Sequence, residues 1–65
     1  MNFLQNYIML CHGRGVANLR EIKDNNGEID EFELSGLVTA LYVDPELSRY
    51  SEGELQAAVM KLITE

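Results

Sequence analysis

A tight turn followed directly by a capped helix constrains this chain more than any other stretch. The turn is Asn26-Gly27, where Gly adopts positive φ without strain and Asn tolerates it. Asp30 and Glu33 then have the spacing of a capping box, in which each side chain accepts a hydrogen bond from the other residue's backbone amide. Apolar residues follow at helical spacing, so we expect a helix over about residues 31–43 that ends before the only proline.

Earlier in the chain, the pattern predicts two shorter helices. Asn2 is placed to cap a first helix, which we expect to end at the glycines of Gly13-Arg14-Gly15. Residues 16–23 carry apolar side chains at helical spacing and fit a second helix of about two turns.

The C-terminal part predicts one more helix. Ser51 and Glu54 have capping-box spacing and precede an apolar stripe, which indicates a helix over about residues 52–64. Residues 44–51 would connect it to the 31–43 helix, and the two helices would pack as a hairpin.

These elements predict an all-α fold. We expect residues 1–65 to form a single small helical domain, a bundle of three to four short helices with a helix-loop-helix centred on residues 24–34. The alternative is an α+β fold with a β-hairpin over residues 19–34. The hairpin is less favoured because one of its faces would mix Ile22 and Ile29 with charged side chains.

Size and charge limit the classes of function. The chain has 65 residues and a net charge of -6, which argues against direct binding to nucleic acid or to anionic membranes. No apolar run is long enough to span a bilayer. The single Cys11 cannot form an internal disulfide, which favours a reducing, cytoplasmic setting. The charge suits a partner protein with a basic surface, including one that binds nucleic acid.

The stretch around the turn resembles the second half of an EF-hand. Gly27 corresponds to the sharp-turn glycine of the calcium loop, and Ile29 corresponds to its apolar position. The resemblance implies that Asp24 and Asn26 bind calcium through side-chain oxygens and that Glu33 binds it as the bidentate glutamate. It also implies that Glu28 offers its carbonyl and that Asp30 makes a contact bridged by water. Ile22 stands at the first loop position, where the family has Asp, and cannot ligate. Residues 24–34 are also similar to the helix-turn-helix repeat of TerB-like domains.

The sequence contains no motif for catalysis. Cys11 and His12 are neighbours on a predicted helix and point about 100° apart. No second His or Cys completes a zinc site, and no glycine-rich phosphate loop is present. We therefore expect a protein that is not an enzyme and needs no cofactor.

The leading hypothesis is a small acidic protein-interaction module that acts as an inhibitor or regulator. Its size and charge are analogous to those of phage-encoded inhibitors of host machinery, such as anti-CRISPR proteins. Expected docking residues are apolar on the first helix and acidic near the turn: Phe3, Leu4, Tyr7, Ile8, Glu28, Asp30 and Glu31. The alternatives are a calcium-binding EF-hand-like module and a homodimer that completes its core through the first helix.

Overall fold

Three helices make up the fold. The structure is a computed structural model that describes residues 2–64, and its elements are α1 (Phe3–Asn26), α2 (Glu31–Tyr42) and α3 (Glu52–Thr64). Residues 2–64 contain no strand. The all-α prediction is confirmed, and the alternative β-hairpin over residues 19–34 is wrong.

The sequence pattern predicted a break in the N-terminal helical region, and α1 has a kink beside the predicted position. Residues Phe3–Asn26 form two helical segments joined at His12, whose φ of -130° and ψ of 23° are non-helical. The first segment thus ends one residue before Gly13-Arg14-Gly15, and the predicted helix over residues 16–23 lies within the second segment. A helical glycine costs only about 1 kcal/mol relative to alanine. Burial of Val16 and Leu19 beyond the glycines outweighs that cost.

A close approach between α1 and α2 explains why position 15 carries a glycine. A Cβ atom added to Gly15 would lie 2.7 Å from Cδ1 of Leu37, well inside the normal separation of non-bonded carbons. Gly15 therefore lets the backbone of α1 pass beside Leu37 without displacing it. Gly13 has open space around the same position.

The predicted capping residues occupy two helix starts. Asn2 accepts a hydrogen bond from the Gln5 amide at 2.8 Å, and the Gln5 side chain accepts from the Asn2 amide at 3.2 Å. At α3, Ser51 and Glu54 form the same reciprocal pair, with both bonds at 3.1 Å. Both arrangements satisfy backbone donors that have no partner inside the helix.

Both helix ends that border the connection between α1 and α2 are capped. Gly27 ends α1 with a φ of 81°, and its amide donates to the Lys23 carbonyl at 2.7 Å. The Asp30 carboxylate accepts from the amides of Phe32 and Glu33 at 2.9 and 3.4 Å. The turn at Gly27 and the cap at Asp30 agree with the sequence prediction. The predicted reciprocal bond is not formed, because within residues 2–64 the Asp30 amide does not donate to the Glu33 side chain.

The core is an apolar cluster to which all three helices contribute. α3 packs against both α1 and α2, and the Arg20 guanidinium of α1 donates to the Leu62 carbonyl of α3. Leu47 is the core residue supplied by the connection between α2 and α3. The buried apolar side chains are Ile8, Val16, Leu19, Leu34, Val38, Leu41, Leu47, Leu55, Ala58, Val59, Leu62 and Ile63.

Candidate functional site

One group of polar side chains joins the kink of α1 to the exit of α2; we call Tyr7, His12 and Asp44 the Asp44 cluster. The Tyr7 hydroxyl donates to the two Asp44 carboxylate oxygens at 3.2 and 3.1 Å. His12 Nε2 lies 2.9 Å from Asp44 Oδ2, and the Glu46 amide donates to Oδ1 at 3.0 Å. The side chains of His12 and Asp44 are only 22% and 16% exposed.

These contacts shift two pKa values in opposite directions. Hydrogen bonds from His12 and from the Glu46 backbone lower the pKa of Asp44 below its ordinary value of 3.8. Desolvation, followed by the hydrogen bond to Asp44, raises the pKa of Tyr7 to about 12. At neutral pH the cluster therefore holds a charged Asp44 beside a neutral Tyr7 hydroxyl.

The geometry of the Asp44 cluster favours a structural role. Within residues 2–64, Asp44 is the one side chain that is hydrogen-bonded to His12. The cluster ties α1 to a residue 32 positions further along the chain. It fixes the direction of α1 at the kink.

The sequence pattern did not predict this cluster because its members are distant in sequence. The available signal was a tyrosine and a histidine on the largely apolar first helix. Their polar ends need a partner when their rings pack against other residues. That signal indicates that a partner exists, but it does not identify Asp44.

The predicted calcium ligands are spread over three elements. Asp24 and Asn26 lie in the last turn of α1, Glu28 lies in the connection, and Glu33 lies in the first turn of α2. The Asp30 carboxylate bonds to backbone amides of α2. Within residues 2–64, no three His, Cys, Asp or Glu side chains are grouped so that they could hold a metal ion. Calcium binding stays a prediction, and the described chain has no preformed cluster for it.

This arrangement gives a test for calcium. We expect the Tm in millimolar calcium to equal the Tm in chelator, because a ligand raises the Tm only by binding the folded state. Thermal unfolding followed by circular dichroism would measure both, with magnesium as the control. A rise specific to calcium that disappears in Glu33→Gln would contradict this expectation.

The predicted apolar docking residues have different degrees of exposure. Phe3 is 63% exposed, whereas Leu4 and Tyr7 are half-buried and pack against the core. Ile8 is fully buried, so its predicted place on a docking surface is wrong. Its side chain completes the core between the helices. The prediction omitted exposed apolar residues, among them Leu10 of α1 at 86% exposure and Phe32 of α2 at 85%.

The predicted acidic docking residues are all on the surface. Glu28, Asp30 and Glu31 are exposed. Glu31 also lines a groove of about 310 Å³ between α2 and α3, together with Glu52 of α3. Leu34 and Val38 line the same groove from α2.

Neither membrane insertion nor similarity to known proteins identifies a function. No helix within residues 2–64 has both the length and the apolar character needed to cross a membrane. No protein-family model, curated protein or solved structure matches the chain.

Proposed function

We propose that this protein is a small, non-enzymatic interaction domain that binds a partner protein with a basic surface. The distribution of charge carries the proposal. Residues 24–48 contain seven carboxylates and no lysine or arginine, and this stretch includes all of α2 and both of its flanks. The seven residues are Asp24, Glu28, Asp30, Glu31, Glu33, Asp44 and Glu46.

Most of this negative charge has no ion-pair partner inside the described chain. Within residues 2–64, the ion pairs are His12 with Asp44 and the exposed Arg49 with Glu46. The remaining carboxylates of residues 24–48 leave a one-signed surface beside α2. Such a surface attracts a basic partner over long range and repels acidic molecules.

The Asp44 cluster supports the non-enzymatic part of the proposal. Its hydrogen bonds hold α1 against the exit of α2, which gives its three side chains a structural use. The exposed thiol of Cys11 suits a reducing compartment such as the cytoplasm. An acidic domain of this size that covers a basic groove would exclude nucleic acid from it, which is the action of an inhibitor or regulator.

Self-association is the second candidate function. Phe3 and Leu10 are 63% and 86% exposed, and each lies one helical turn from Tyr7 on α1. A second copy packed on this face would cover both side chains. This candidate uses a surface on α1, whereas the basic partner would bind beside α2.

Two measurements on the same protein distinguish binding of a basic partner from self-association. Light scattering gives the mass of the free protein, and NMR amide shifts report binding of an oligolysine peptide, with an oligoglutamate peptide as the control. We expect a monomer whose amides in residues 24–48 shift with oligolysine and recover at high ionic strength. Absence of these shifts would contradict the proposal. A dimer that Leu10→Ser dissociates would support self-association.

A further inference from the structure

We propose that the groove between α2 and α3 receives a lysine or arginine side chain of the partner. This inference rests on the proposed function and specifies the chemistry of the group that is bound. The groove has a volume of about 310 Å³, at the lower end of the range for ligand pockets. That volume suits a side chain better than a nucleotide or a large cofactor.

The base of the groove is apolar. Leu34 and Val38 line it and are only 7% and 5% exposed, so they belong to the core and present limited apolar surface. Lysine and arginine carry three or four methylene groups before the charged end and bury this stem along apolar surface. The side chains of Leu34 and Val38 would contact that stem.

The exposed part of the groove is acidic and polar. Glu31 lines it from α2 and Glu52 lines it from α3, and neither forms an ion pair within residues 2–64. Ser35 and Gln56 add hydrogen-bonding oxygens from the same two helices. An ammonium or guanidinium group is a donor only, so carboxylate, hydroxyl and amide oxygens complement it.

Other ligands fit this groove less well. A metal ion requires more ligands than two carboxylates, and no three suitable side chains are grouped in the described chain. An anion would meet Glu31 and Glu52. The depression between α1 and α3 is lined by Lys61 as well as Glu54, so its charge does not select a cation in the same way.

Two double variants of equal charge test the inference. Glu31→Gln with Glu52→Gln removes both carboxylates that line the groove. Glu33→Gln with Glu54→Gln removes two from the first turns of the same helices, but neither lines the groove. Gln at position 54 also keeps the capping box with Ser51. Circular dichroism checks that both variants are folded.

The measurement is the Kd of oligoarginine and oligolysine peptides for the full chain, with NMR shifts of the Leu34 and Val38 methyl groups. We expect the groove variant to weaken binding about tenfold and to lose the methyl shifts. The control variant would weaken binding about threefold or less, as screened surface charges do. If both variants weaken binding equally, the inference that the groove receives the cationic side chain is wrong, and the proposal of a basic partner is still supported. If the unchanged protein binds neither peptide, both the groove inference and the proposed function are wrong.

Discussion

Leu47→Ala is expected to lower the free energy of unfolding by about 3 kcal/mol. Leu47 is fully buried, although it lies in the connection between α2 and α3. Its amide donates to the Asp44 carbonyl at 2.9 Å, and its carbonyl accepts from the Tyr50 amide at 3.0 Å. The backbone therefore holds the side chain in place, and truncation leaves a cavity.

The size of this effect is large for so small a chain. Domains have about 0.05–0.15 kcal/mol of stability per residue, so the loss would remove much of the total. Urea unfolding followed by circular dichroism measures the change. Val43→Ala is the matched control, because Val43 is close in sequence but 71% exposed, and its replacement should cost less than about 0.5 kcal/mol. Equal unfolding midpoints for the two variants would show that Leu47 is not part of the core.

The second large effect is expected at Asp44. Asp44→Asn removes the charge that faces His12 and the Tyr7 hydroxyl, so it should clearly lower the Tm at neutral pH. Glu46→Gln is the control, since the Glu46 side chain is 61% exposed and its oxygen lies 3.9 Å from Arg49. Thermal melts of the three proteins give the comparison. A Tm loss in Glu46→Gln as large as that in Asp44→Asn would contradict a specific role for the Asp44 cluster.

The pKa shifts predict how this stability depends on pH. Because the folded pKa of Asp44 lies below 3.8, its contribution is complete above that value and is lost as the pH falls through the folded pKa. For Tyr7, the contribution is complete below pH 10 and is lost as the pH rises through about 12. Thermal melts over these pH ranges measure the change. The Tm of Asp44→Asn should depend less on pH than that of the unchanged protein on the acid side, and the Tm of Tyr7→Phe should depend less on pH on the alkaline side.

The helices whose signals are local were predicted well. Asp30 and the Ser51–Glu54 pair mark the starts of α2 and α3, and the observed ranges match the expected ones within one residue. Such signals work because a cap and an apolar stripe act within a few residues of chain. The predicted division of α1 at Gly13-Arg14-Gly15 corresponds to the kink at the adjacent His12. Helical structure continues through the glycines because packing of Val16 and Leu19 in the core opposes a weak local preference.

Contacts between distant residues limited prediction of the site. Nothing in the local pattern pairs His12 with Asp44 or places Glu31 and Glu52 along one groove, since both arrangements depend on how the helices pack. Burial of Ile8 depends on packing in the same way. The sequence did indicate the acidic character of residues 28–31, because the composition of a surface segment is visible without its neighbours.

The close approach at Gly15 has a consequence for how this chain can vary. Gly15 and Leu37 occupy one shared space, with only 2.7 Å available between a Cβ at position 15 and Leu37 Cδ1. A larger residue at position 15 is compatible with the same fold when position 37 becomes smaller, as in a Gly15→Ala, Leu37→Val pair. Among variants that keep this bundle, the combined volume at the two positions should change less than the volume at either one.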